Sequence, residues 1–131
     1  MVDRGDTMRR AKSVRALKSL LKHHISIGIF PEGTFNETGK PLKSFYDGAF
    51  RISIETQTPI KPVLFLDNYN LLNHQELLSL KHGRSRAVFL DEISPEGFNL
   101  NQISLFKQKV YAIMENKLRE YRVSWIQSPE K

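Results

Sequence analysis

The sequence has no cysteine in its 131 residues, which excludes disulfides, thiolate metal sites and a cysteine nucleophile. It also lacks an apolar run near the roughly 20 residues that a membrane-spanning helix requires. The charged N-terminal segment has no apolar stretch of the kind found in secretory signals, so we expect no signal peptide. What is present, 40% hydrophobic and 26% charged residues, is typical of one soluble globular domain.

The sequence has fewer acidic residues than basic ones, 14 against 20, which gives a net charge of +6. Such a balance favours anionic partners, namely phosphate ligands, acidic lipid headgroups or nucleic acid. Six of the twenty basic residues lie between Arg9 and Lys22. Charge alone does not choose among the three kinds of partner.

The first third of the chain predicts a helix, a strand and a loop. Apolar residues recur at helical spacing over residues 8–23, with Asp6 or Thr7 as the N-cap. The apolar residues 25–30 predict a short strand, which a proline ends. Residues 32–41 are rich in glycine and small polar side chains and predict an irregular loop.

The segment 45–55 is ambiguous. Phe50, Ile52 and Ile54 alternate as in a strand, but the same stretch also fits a helix that begins after a cap at Asp47. Periodicity leaves both structures open.

The second half predicts two strands and a long helix. Residues 59–66 and 86–91 are apolar and predict strands, and residues 101–122 form an amphipathic helical pattern with Asn99 or Asn101 as its cap. The order of helix, strand, probable helix, strand, strand and helix is that of a layered α/β domain. No repeat or linker divides the chain.

The stretch most informative about chemistry is Phe30-Pro-Glu-Gly-Thr-Phe35, at the predicted end of a strand. Pro31 stops the strand, Gly33 allows a ligand to approach the main chain, and free backbone N–H groups there can face an anion. Glu32 can orient a guanidinium or a substrate hydroxyl. A simple strand-ending turn explains the same residues equally well.

This stretch resembles the third sequence block of the glycerol-3-phosphate and 1-acylglycerol-3-phosphate O-acyltransferase family. Residues 2–4 are similar to the end of the second block, residues 43–50 to the Gly-Ala-Phe stretch after block three, and residues 58–63 to the fourth block. The resemblance covers roughly residues 2–95, and the last helix is compatible with it. One departure is Phe35, where the family usually has a basic residue. The resemblance implies a partial acyltransferase domain over residues 1–131, with a mixed central sheet flanked by helices and its N-terminal portion missing.

The family moves an acyl group from a thioester of coenzyme A or acyl carrier protein to a glycerol hydroxyl, with no bound cofactor. The resemblance implies a (lyso)glycerol phosphate such as 1-acylglycerol-3-phosphate as acceptor. The family's base is a histidine in a first block, Asn-His-x4-Asp, which precedes block two. We therefore expect no catalytic residue in this chain and no activity from it alone. The alternatives are a non-catalytic binder of anionic lipid or phosphate and, less well supported, a nucleic-acid-binding domain.

The resemblance also implies a set of substrate-binding residues. The guanidinium of Arg4 would pair with the substrate phosphate, because it is always charged and matches phosphate oxygens bidentately. Glu32, Gly33 and Thr34 would complete the polar pocket. Lys43 is a weaker candidate for the same anion, since a solvated loop lysine is an equally good interpretation.

Other histidines do not make a site. Asn73-His74 resembles the start of the first block, but Ser79 stands where its aspartate is expected, and the order along the chain is wrong. His23 and His24 are adjacent, whereas metal-binding pairs on a helix are usually four residues apart. We expect them to end the first helix, and we expect no metal.

The basic first helix has two interpretations. Such a surface is usually just solvated. In an enzyme whose substrates lie in a bilayer, it could instead dock the domain on anionic lipid, and charge reversal of Arg10, Arg15 and Lys18 would then weaken liposome binding. We expect a peripheral protein on the cytoplasmic face of a membrane that does not bind nucleic acid.

Overall fold

The computed structural model describes residues 4–34, 36–67 and 83–121, with side chains from residue 11 onward. Its first element is the helix α1, Arg4–Lys22. The predicted helix is confirmed, but Asp6 and Thr7 lie inside it and the prediction that they cap it is wrong. His23 and His24 end the helix as expected: the Nδ1 of His23 donates to the carbonyl of Ser19 at 2.8 Å, and His24 turns the chain with a φ of 59°.

Residues 25–30 do not form the predicted strand. A strand requires a partner for its backbone groups, and no described residue pairs with this segment as a strand. The apolar side chains that predicted burial are correspondingly open to solvent, with Ile25 49% and Phe30 79% exposed.

The ambiguous segment is a helix, α2, Gly48–Thr56. Asp47 occupies the N-cap position but makes no side-chain capping bond. Its carboxylate instead accepts a hydrogen bond from the ammonium of Lys107 at 2.6 Å. Helical geometry turns Phe50 and Ile54 toward the interior, where they are 1% and 5% exposed, so burial decides what periodicity left open.

The two predicted strands pair in antiparallel fashion as a small sheet of β1, Val63–Phe65, and β2, Ala87–Phe89. Both are shorter than predicted, and beyond them an isolated bridge joins Ile60 to Ile93. Prolines at positions 59 and 62 lack the N–H that a longer ladder would need.

The last helix, α3, spans Ile103–Glu120 and is preceded by a 3₁₀ turn, Leu100–Gln102. Asn99 is the cap: its side chain accepts from the N–H of Asn101 at 2.9 Å, and the Gln102 side chain accepts from the N–H of Asn99 at 3.2 Å. This reciprocal capping box places Asn99, the first of the two predicted caps, at the start of the 3₁₀ turn that leads into α3.

The core lies where α2, α3 and the inner face of the two-stranded sheet meet. Phe106 of α3 is fully buried, and its ring meets Phe50 at 6.0 Å and Phe98 at 5.0 Å between centroids. Loop residues Leu42 and Phe45 join the same core, which fixes the loop before α2 against the rest of the domain. The described chain is thus a mixed α/β structure. None of its described helices is long and apolar enough to cross a membrane.

Candidate functional site

A tight turn follows the first helix and its exposed apolar segment. The N–H of Gly33 donates to the carbonyl of Phe30 at 3.2 Å. Gly33 has a φ of 70°, in the left-handed region that side chains other than glycine's rarely adopt. A Cβ at this position would lie 2.7 Å from Cε2 of Tyr46. Two independent constraints, backbone angle and space, therefore require glycine here.

Glu32 ties this turn to the chain eleven residues later. Its Oε2 accepts a hydrogen bond from the backbone N–H of Lys43 at 2.9 Å. Burial raises the pKa of Glu32 above its ordinary value of 4.5, and the opposing effects of the Lys43 N–H and ammonium are smaller. The carboxyl thus serves as an internal brace between the turn and Lys43.

The side chain of Lys43 returns to the same turn. Its Nζ donates to Oγ1 of Thr34 at 2.6 Å. An ammonium has three N–H groups, and within the described part of the chain this is the one hydrogen bond that Nζ donates. Lys43 also borders an open groove of ≈ 500 Å³, whose far side includes Lys107 and Tyr111 of α3. A positive charge is therefore held beside Thr34 and remains reachable from solvent.

Four of the five predicted substrate-binding residues come together here, namely Glu32, Gly33, Thr34 and Lys43. Lys43, predicted as the weakest member, is the one that links the others. Arg4 lies in the first turn of α1, but its side chain lies outside the described part of the structure. A role of these residues in substrate binding stays a prediction.

Sequence reasoning missed two tyrosines that hold the loop. Tyr46 packs its ring on Gly33, and its N–H donates to the carbonyl of Pro31 at 2.9 Å. Tyr111 of α3 donates its hydroxyl to the carbonyl of Leu42 at 3.0 Å. Burial, followed by the charges of Glu115 and Glu32, raises the pKa of Tyr111. No local pattern marks either residue, because each acts on a segment distant in sequence or across a turn.

The Asn73-His74 pair, which we did not expect to form a site, lies outside the described residues. In the described ranges 4–34, 36–67 and 83–121, no group of three or more His, Cys, Asp or Glu side chains could hold a metal ion.

The pH dependence of stability should reflect Glu32. Its raised pKa means that folding favours the protonated carboxyl. That contribution is complete below pH 4.5 and is lost as the pH rises through the folded-state pKa. Glu32→Gln keeps an oxygen acceptor without the titration, so its free energy of unfolding relative to wild type should rise from pH 4 to 7. Urea unfolding at several pH values measures this difference, and a difference independent of pH would contradict it.

Comparison with known proteins places these residues in a family. The family model described as Acyltransferase matches residues 1–66, which include the turn and Lys43. The chain is 28% identical over 103 residues to 1-acyl-sn-glycerol-3-phosphate acyltransferase alpha of Mus musculus, covering 79% of this chain and 36% of the relative. It is 30% identical over 124 residues to 1-acyl-sn-glycerol-3-phosphate acyltransferase of Salmonella typhimurium, covering 92% and 48%.

A third relative, 1-acyl-sn-glycerol-3-phosphate acyltransferase of Helicobacter pylori, is 29% identical over 96 residues, which cover 73% of this chain and 40% of the relative. The chain thus spans less than half the length of each of these three relatives. No solved structure gives a significant match. Since the family model covers the first half of the sequence, including the turn that Glu32 braces, the chain belongs to the Acyltransferase family.

Proposed function

We propose that this chain forms the acceptor-binding part of a glycerophospholipid O-acyltransferase. In this proposal the complete enzyme transfers an acyl group from a coenzyme A or carrier-protein thioester to the hydroxyl of a (lyso)glycerol phosphate such as 1-acylglycerol-3-phosphate. The observation that carries the proposal is the ammonium of Lys43, held 2.6 Å from Thr34 Oγ1 in a turn that Glu32 braces. Family membership and the printed names of the relatives support it.

The residues of the turn have distinct roles in this function. Lys43 attracts the phosphate of the acceptor, and Thr34 directs the ammonium through its hydroxyl oxygen. Glu32 fixes the backbone of Lys43 and so positions the charge. Arg4 would supply a second cation to the same phosphate. We further propose that the turn belongs to a layered α/β domain whose central sheet is mixed and flanked by helices.

Removal of the Lys43 ammonium should weaken acceptor binding. Lys43→Ala should lower the affinity for glycerol 3-phosphate by about tenfold or more, the scale of a charge-assisted hydrogen bond. Isothermal titration calorimetry of the purified chain measures the effect. Lys40→Ala is the matched control, because Lys40 lies in the same loop and, among the described residues, its backbone makes its hydrogen bonds. Equal affinities for wild type and the Lys43 variant would refute the proposed phosphate site.

We also propose that these 131 residues do not catalyse transfer alone, because they contain no Asn-His-x4-Asp block to supply a base. An acyl-transfer assay of the purified chain should give no product, and steady turnover would contradict this. The net charge of +6 favours a second candidate, a binder of anionic lipid or phosphate with no catalytic role. Restoration of turnover by a polypeptide that carries the block would exclude that candidate.

We propose that α1 places the domain on an anionic membrane, as a peripheral protein of the cytoplasmic face. Lys12 and Arg15 are exposed on this helix, whereas Lys18 pairs with Glu55 at 2.5 Å and joins α1 to α2. Reversal of Lys18 would therefore disturb the fold as well as the surface, and it is a poor test.

The better test reverses Lys12 and Arg15 to glutamate. Each basic residue near an anionic surface contributes about 1 kcal/mol, so binding to phosphatidylserine liposomes at low salt should weaken at least tenfold. Cosedimentation measures it. Reversal of Lys40 and Arg51, which are exposed on other segments and change the net charge equally, should have a smaller effect. If both pairs weaken binding equally, α1 is not the docking surface.

A further inference from the structure

Two large aromatic side chains stand open to solvent at the turn that carries Gly33. Phe30 is 79% and Tyr46 is 69% exposed, the two highest values among the large hydrophobic side chains of the described residues. Both are attached to the turn through the backbone: the carbonyl of Phe30 accepts from Gly33 at 3.2 Å, and the N–H of Tyr46 donates to Pro31 at 2.9 Å. The pair therefore belongs to the loop that holds Lys43.

Tyr46 packs against the main chain of the turn despite its exposure. One edge of its ring covers Gly33, where the Cβ of any other residue would lie 2.7 Å from Cε2 and 3.2 Å from Cδ2. Among the described residues its hydroxyl has no hydrogen-bond partner. An aromatic ring that rests on the main chain and leaves much of its surface exposed is well suited to binding, since it offers a large contact area and has only two side-chain torsions to restrict.

The ring of Tyr46 and the ammonium of Lys43 contact neighbouring residues of the turn. Lys43 Nζ is bonded to Thr34, and the ring of Tyr46 covers the adjacent Gly33. A ligand with its anion at Lys43 therefore has aromatic surface within about one residue's length along the turn. Glycerol phosphate by itself offers little apolar surface to such rings, whereas an acyl chain attached to it offers a great deal.

We propose that Tyr46, together with Phe30, is a specificity-determining residue that contacts the apolar part of the acceptor next to its phosphate. It makes the site prefer an acceptor that already carries an acyl chain over glycerol 3-phosphate. This inference rests on the proposed function, because it assumes that Lys43 holds the acceptor phosphate.

The test compares two ligands on the purified chain by calorimetry: glycerol 3-phosphate and octanoyl lysophosphatidate below its micelle concentration. Wild type should bind the acylated ligand more tightly. Tyr46→Ala should reduce this preference about tenfold, by weakening the acylated ligand more than glycerol 3-phosphate, and Tyr46→Phe should keep the preference because the ring face remains. Phe89→Ala is the control, since Phe89 is 67% exposed on β2.

Each failure points to a different step. If wild type binds neither ligand, the proposed function fails. If both ligands bind equally, or if Tyr46→Ala weakens both equally, the phosphate site stands and the specificity role is wrong. Circular dichroism identifies a Tyr46 variant that does not fold. In that case Phe30→Ala decides, and an unchanged ligand preference in that variant would overturn the proposal.

Discussion

Gly33→Ala should abolish the binding geometry of the turn and lower the affinity for glycerol 3-phosphate at least tenfold. An alanine at a φ of 70° is strained by about 1–2 kcal/mol. Its Cβ would also lie 2.7 Å from the ring of Tyr46, so the ring or the turn must move. The backbone strain moves the turn itself and with it Thr34, the partner of the Lys43 ammonium. Calorimetry and urea unfolding measure affinity and stability separately.

Gly48→Ala provides the matched control. Gly48 begins α2, has no positive φ, and a Cβ there meets nothing within 4 Å. Alanine should be neutral or stabilising at this position by up to about 1 kcal/mol, since it favours helix more than glycine does. Adding Tyr46→Ala to Gly33→Ala should remove the clash but not the backbone strain, so recovery should be partial. Wild-type affinity in the single Gly33 variant would contradict the assigned role of this turn.

Phe106→Ala should have the largest effect on stability, about 3–5 kcal/mol lost from the free energy of unfolding. The side chain is 0% exposed and contacts the rings of Phe50 and Phe98, so its removal leaves a cavity lined by aromatic groups. Small domains have a total stability of only about 5–15 kcal/mol. A large share of the variant should therefore be unfolded near the growth temperature of a mesophile.

Leu105→Ala is the neighbouring control. Leu105 is 55% exposed on the same helix, and its truncation should change stability by less than about 1 kcal/mol. Thermal and urea unfolding of both variants provide the comparison. If the two variants lose similar stability, the core is not centred on Phe106 as the structure has it.

The elements that sequence predicted well are those set by local chemistry. The apolar spacing of α3 and the amide side chain of Asn99 act within a few residues, so the pattern determines the structure. The segment of α2 could not be decided, because Phe50 and Ile54 suit either period and only packing against α3 selects the helix. The prediction of a strand over residues 25–30 was wrong because a strand needs a second strand for its backbone groups, and an apolar sequence alone does not supply one.

The same distinction applies to the site. Glycine and glutamate in Phe30-Pro-Glu-Gly-Thr mark the turn, and the family resemblance, now supported by the family model, pointed to Glu32 and Lys43. The brace between them joins residues eleven apart, which no sequence spacing rule predicts. The sequence did not predict a role for Tyr46, because that role depends on the contact of its ring with Gly33, at the place where a Cβ would lie.

NMR of the ¹⁵N-labelled chain, titrated with glycerol 3-phosphate, tests most directly whether this turn holds a phosphate. The amide signals of Gly33, Thr34 and Lys43 should shift together in a saturable manner, and the shifts should shrink as salt is raised. Glycerol, which lacks the phosphate, should leave them in place. Shifts confined to α1 or to β1 and β2, or unchanged amides in the turn at saturating ligand, would contradict an acceptor site at Lys43.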